Sequence, residues 1–351
     1  MVWARRHRVT GSPSKVEVDV SAIPLMRAAG WRLYPVEEWP LIGAAPKGYL
    51  VYGDPTRPDC HAYIAKRGRL KVGGYRECVT EEMISKIGGK LPVRMAQSRL
   101  VRLPVRAGQQ PDVRFLSRNF IRYGEERLVH GVEIVAEYFN AQPDEIATAF
   151  NLEDRQAEQN FYTVYNMVEV LTWFCRNQEE RASIFDGFAR MLAFDALVGA
   201  PDRHALNWGV VVSLVDPTSP RRFAPLFDTA RGLFREHPDE KLARIAAAGG
   251  QDELVEQYAR KSQPVFGVRT RLPGGARCNH FELVEHVLKD LPDELGRTMA
   301  RFIRSVYLPD VETMLRRRFR RIVTPLRLSY VVGLLRYRHE RLTILVNETS
   351  R

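Results

Sequence analysis

The stretch GAPDRHALNWGVV, residues 199–211, crowds Asp202, Arg203, His204 and Asn207 between an apolar helical run and a run of valines. Asp202 and Asn207 lie five positions apart, and Asp228 follows behind Phe227. Two carboxylates and an amide in this order suit phosphoryl transfer. One Asp orients or deprotonates an attacking hydroxyl, while the Asn and the second Asp hold Mg²⁺ on nucleotide phosphates. The same chemistry needs a cation on the phosphates. Lys66, at the end of the strand-like AYIAK, is the candidate, and Glu77, opening the next helical run, is the candidate that holds it. Glu81 and Glu82 compete for that role. Glu81 is one turn further on and shares the face, but the distance to the closing glycines favours Glu77. IGAAPKGYL, one strand earlier, is the candidate phosphate loop, with Gly43, Ala44 and Ala45 offering backbone N–H groups and Lys47 a charge.

Each residue taken alone has a plainer reading. Asp and Asn shape turns and cap helices by bonding their own backbone. A lone His is more often structural; FELVEHVL, residues 281–288, is core-like, and His280 just before it and His286 within it are read that way. Arg203 either orients its loop or pairs with a carboxylate. RRRFRR at 316–321 is read as a solvated helix face, because no nucleic-acid-binding pattern surrounds it.

The elements that must position these residues follow from periodicity. GYLVYG and HAYIAKRG are strands separated by the turn-rich DPTRPDC. YRECVTEEMISKIGG carries Val79, Met83, Ile84 and Ile87 at helical spacing and ends on two glycines. PVRMAQSRLVRL and DVRFLSRNFI are further strands. From about residue 130 the pattern turns helical, through EIVAEYF, QNFYTVYNMVEVLTWFC and ERASIFDGFARMLAFDALVG. WGVVVSLVD and RRFAPLFD form a hairpin around PTSPRR, with Asp228 ending its second strand, and the rest to about residue 320 is mostly helical. The expected class is α+β and bilobal: an N-terminal extension over 1–30, a small β-rich lobe over 31–125, a larger helical lobe over 126–310, and a basic C-terminal segment over 311–351.

The chain has 351 residues, 45% of them hydrophobic and 27% charged, enough to bury a sizeable core. A formal net charge of +11 favours acidic partners, nucleotide phosphates among them, without deciding the fold. The four cysteines, Cys60, Cys78, Cys175 and Cys278, are scattered, which argues against a zinc site or a disulfide framework. No stretch approaches the ~20 apolar residues of a membrane helix. The N-terminus lacks a signal-peptide core, so a cytoplasmic, reducing setting is expected.

The order G-A-x-x-K, Y-I-x-K, an acidic residue opening a helix, D-x-H-x-x-N and an apolar-Asp pair resembles the HipA-like serine/threonine kinases, over residues 40–290. That family includes the HipA toxins and the shorter CtkA-type proteins. The D-R-H-x-x-N form is also similar to the phosphoinositide kinases, which share the atypical kinase fold. Protein kinases space their catalytic-loop Asp and Asn by the same five residues. The resemblance implies an ATP- and Mg²⁺-dependent kinase acting on a protein serine or threonine. Lys66 would contact phosphates and pair with Glu77, and Asp202 would act as the base. Asn207 and Asp228 would hold Mg²⁺, and His204 would brace the loop or touch a phosphate. Main chain around Phe115, Leu116, Ser117 and Arg118 would hold adenine, within the hinge-like FLSRNFIRYGEERLVHG. Two departures stand out. HipA carries an autophosphorylated serine three residues before the loop glycine, where this chain has Pro40, and Ala45 replaces a Gln. The short N-terminal extension resembles the compact CtkA type, and the run after residue 310 matches nothing in the pattern. A lipid or small-molecule kinase, or a nucleotide-binding scaffold that recruits acidic partners, are the competing readings.

Overall fold

The computed structural model describes residues 17–26, 30–35, 47–52, 61–69, 74–143, 145–146, 162–268 and 278–349. Gly43, Ala44, Ala45 and Cys60 lie outside them.

Alternating and β-branched residues build a five-stranded antiparallel sheet from β1 (Trp31–Pro35), β2 (Lys47–Tyr52), β3 (His61–Arg67), β4 (Ser98–Leu103) and β5 (Asp112–Arg118), in the order β1-β2-β3-β5-β4. One face packs on α1 (Tyr75–Gly88), whose Cys78, Val79, Met83, Ile84 and Ile87 are all buried. Register places Lys47 directly opposite Lys66, and Lys66 opposite Phe115. Like charges facing each other across a ladder repel, so this pair calls for an anion between them.

The second lobe opens with β6 (Glu126–His130) and α2 (Gly131–Tyr138), then α3 (Val164–Phe174) and α4 (Gln178–Val198). Asn177 caps α4 by accepting from the Glu180 N–H. Gly199 ends it in a left-handed turn (φ 68°), where an added Cβ would stand 3.2 Å from the Arg338 guanidinium. A three-stranded sheet, β6-β7-β8, is completed by β7 (Gly209–Ser213) and β8 (Arg222–Phe223). Helices α5 (Asp239–Ala247), α6 (Gln251–Lys261), α7 (His280–Asp290), α8 (Asp293–Ser305), α9 (Leu308–Phe319) and α10 (Pro325–Thr349) fill the rest. The architecture is the expected bilobal α+β one.

Two strand expectations are corrected. PVRMAQSRLVRL pairs regularly only over Ser98–Leu103. The second hairpin strand stops at Phe223, because Pro225 has no N–H to give a ladder. Leu226 instead bridges Met95 in the small lobe, donating to Arg94 O (2.7 Å) and accepting from the Ala96 N–H (3.0 Å). Asp228 therefore hangs from a segment stitched to both lobes rather than from a hairpin end.

Candidate active site

Lys66 is where the elements converge. Its ammonium lies 2.6 Å from Glu81 Oε1 on α1 and 2.8 Å from Asp228 Oδ1. Lys47 reaches the other Asp228 oxygen at 3.3 Å. The facing lysines of β2 and β3 thus share one carboxylate. Burial opposes the Lys66 charge, but Asp228 and Glu81 outweigh it and raise its pKa above the usual lysine value. Burial likewise opposes ionisation of Asp228, yet Lys66 and Lys47 hold its carboxyl well below the usual range. Burial pushes the Glu81 carboxyl up to about 7; Lys66 pulls it back, and the charge on Asp228 adds to the rise.

The pairing of Lys66 with Glu77 is corrected by this geometry. Glu77 and Glu81 share a helix face, but only the later turn reaches Lys66. Glu77 accepts from the Arg69 N–H and Nη2 (both 2.9 Å) and from Arg235 Nη1 (2.8 Å). Glu82 takes a third direction, toward Ser98, Lys86 and Arg318. The sequence held the signal for Glu81 in its one-turn spacing; the distance to the glycines carried no information about reach.

Residues 200–208 fold around Arg203, which is buried with its fork on Asp195 of α4 (both contacts 2.8 Å). Its Nη1 also donates to Asn207 O and Phe227 O, both at 2.9 Å. One guanidinium thereby orients the loop and pairs with a carboxylate, joining the two chain segments that carry the candidate cation ligands. Asn207 Nδ2 donates to Asp202 O at 2.7 Å and lies 3.1 Å from His204 Nε2. The amide oxygen is the atom left to take a cation. His204 is packed against its own loop, with burial lowering its pKa against the pull of Asp202 and Asp228. His130 braces the far side, its Nδ1 2.9 Å from Leu206 O. Asp202 is partly exposed and meets Arg231 at 3.1 Å, a contact nothing in the residue pattern announced.

The segment after Asp228 is strained. Asp228 (φ 53°), Leu233 (48°) and Phe234 (60°) all occupy the left-handed region, which costs a non-glycine residue about 1–2 kcal/mol. Full burial of Leu233 and Phe234 holds the backbone there.

Phe115, Leu116 and Ser117 sit inside the sheet, with β3 on one side and β4 on the other. Their main-chain groups face those neighbours in the ladder, which corrects their assignment as an adenine-binding edge. Chain outside the ladder begins after Asn119, whose N–H still bonds Ala62 O. Phe120 comes next, its ring 5.7 Å from that of Phe227. Gly43, Ala44 and Ala45 carry no structural account.

A hard cation fits this donor set. An ionised Asp228 and an amide oxygen are the oxygen ligands magnesium takes beside phosphates, and Lys47 and Lys66 supply positive charge on the same side.

The fold is that of the proinflammatory kinase CtkA of Helicobacter pylori, with a TM-score of 0.66 at 13% identity, covering 93% of this chain and 99% of that one. A chain of the Shewanella oneidensis MR-1 complex of HipA, HipB and operator DNA aligns at a TM-score of 0.45 and 14% identity, covering 92% of this chain and 73% of that one. No curated protein sequence matches. The HipA-like C-terminal domain model matches residues 39–271, and the chain belongs to that family.

Proposed function

We propose that this HipA-type protein is an ATP- and Mg²⁺-dependent kinase that phosphorylates a protein serine or threonine. The observation that carries the reading is Lys66 gripped between Glu81 and Asp228, beside a loop that presents Asp202 and Asn207.

Lys66 and Lys47 face the phosphates, and Glu81 fixes the direction of Lys66. Asn207 and Asp228 would hold magnesium, which when bound neutralises phosphate charge. Asp202 receives the acceptor hydroxyl's proton as the new O–P bond forms and the bond from the γ-phosphorus to the ADP oxygen breaks. Arg231, on Asp202, keeps that carboxylate oriented until the acceptor arrives. His204 braces the loop, and main chain from Phe120 onward is the edge open to adenine. Little covalent chemistry is asked of the protein; positioning and charge supply the rate.

The test is γ-labelled ATP with Mg²⁺ and a protein gel, wild type beside Asp202→Asn. Label on the protein, or on a band of added lysate, should fall by about a hundredfold or more in the variant. Equal labelling in both would remove Asp202 as the base. Label recovered only in a lipid or metabolite fraction would overturn the protein acceptor.

A further inference from the structure

The charged trio Lys66, Glu81 and Asp228 comes from three separate pieces of chain, and nothing within the trio aligns them. Lys66 is the next-to-last residue of β3, Glu81 stands on the second turn of α1, and Asp228 begins the strained segment after β8. A single carboxylate touches all three pieces. Glu77, one turn before Glu81, accepts from the backbone and side chain of Arg69, three residues past Lys66. It also accepts from Arg235, seven residues past Asp228. Glu77 and Arg235 are almost wholly buried, with side chains 7% and 6% exposed.

We propose that Glu77 is a positioning residue: a clamp that, through Arg69 and Arg235, sets β3, α1 and the post-Asp228 segment in register so that Lys66 falls between Glu81 and Asp228. This deepens the proposed function and rests on it for its catalytic consequence.

Gly74 caps the start of α1 with no side-chain bond; Tyr75 ties to Pro111 O at 2.8 Å and Arg76 to Glu17 at 2.6 Å, but neither contact touches β3 or Arg235. A rotation or slide of α1 would carry Glu77 and Glu81 together, because they share a face. Pinning the first therefore aims the second. Arg235 does the same for the segment behind it. Leu233 and Phe234 leave that stretch in the left-handed region, and the ion pair two residues or fewer away holds it against relaxing. The clamp's partners are two arginines, whose planar forks fix direction as well as charge.

The experiment labels the full-length protein with an amine-reactive ester. Labelling is read at each lysine by mass spectrometry, beside turnover, for wild type, Glu77→Ala and Arg235→Lys. Wild-type Lys66 should react slowly. In Glu77→Ala its labelling should rise several-fold while that of Lys289 stays at the wild-type rate. kcat should fall roughly ten- to a hundredfold, the scale of a misplacement near 1 Å. Arg235→Lys, which keeps a charge but loses the fork, should lie between. Unchanged Lys66 labelling in a folded Glu77→Ala protein overturns the clamp. Should that variant not fold, Glu77→Gln carries the comparison, and failure of both to fold would assign Glu77 to stability alone. Labelling needs no phosphoryl transfer. An inactive wild type with the expected labelling would sink the kinase reading and leave the clamp standing.

Discussion

Glu81 and Asp228 show how two carboxylates at one lysine come to differ. Asp228 touches Lys47 as well as Lys66 and stays ionised; Glu81 touches Lys66 and feels Lys47 only at a distance, deep in the protein, and is pushed up to about 7. Near neutrality Glu81 is thus the member of the trio that gains or loses a proton. Its folded value lies above the ordinary 4.5. The stability it contributes is therefore present below about 4.5 and lost as pH rises through about 7. Activity should run the other way: kcat/KM rises with pH through about 7 as Glu81 becomes the anion that grips Lys66. A pH–rate profile of wild type beside Glu81→Gln checks this. The limb should vanish in the variant, and a limb that persists would belong to another group. At this scale the sequence was legible in kind and less so in contact. Lys66 meets Asp228, Asn207 meets the Asp202 carbonyl, and Arg203 joins the two segments. Which of two glutamates on one helix face reaches Lys66 depends on how α1 sits on the sheet, and Arg231 and Arg235 find their partners only through the turn of the strained segment.

At the scale of elements, α10 does more than its basic composition conveys. Arg327 and Arg338 are eleven residues apart, three helical turns, and so share a face. Arg327 binds Asp239 and the carbonyls of Phe234 and His237, behind Asp228. Arg338 is wholly buried and donates to Ala196 O (2.5 Å), in the last turn of α4, and to Ala259 O (2.8 Å). Burial lowers its pKa to about 9. The carbonyl end of α4 carries partial negative charge, which offsets part of the cost of burying the guanidinium without a carboxylate. Arg338→Met keeps the bulk and strips two carbonyls of their donor. It should destabilise the protein by roughly 1–3 kcal/mol, seen as a lower denaturant midpoint; an unmoved midpoint would mean that the carbonyls find other donors. Sequence periodicity found α1, α4 and β3 because their apolar residues recur at helical or alternating spacing. It treated residues 311–351 as a basic appendage because arginine counts as exposed in any hydropathy pattern, and here two arginines point inward. The same blindness split the Pro225 segment from the small lobe, since 131 positions separate Met95 from Leu226.

At the scale of the molecule, the two lobes do not keep separate cores. One apolar cluster runs from Ile84, Leu100 and Phe115 in the small lobe through Val135 and Phe188 to Val331 on α10, while the far face of the sheet keeps only a small group around Leu50, Tyr63 and Leu116. The N-terminal stretch straps this together. Val18 bridges Val323 and Leu25 bridges Arg102, while Glu17 pairs with Arg76 on α1 and accepts the Asp239 N–H that starts α5. The sequence showed bilobal composition but could not show shared burial, because the contacts join residues hundreds of positions apart. A continuous core couples the unfolding of the two lobes, so a single calorimetric transition is expected rather than one for each lobe. On the proposed function, Mg²⁺ and ATP bind between lobes that must both be native, and should move that whole transition upward, by about 2.7 kcal/mol at a hundred times the dissociation constant. Two resolved transitions, with nucleotide raising only one, would mean that the lobes fold independently and that the strap and the shared core couple them weakly.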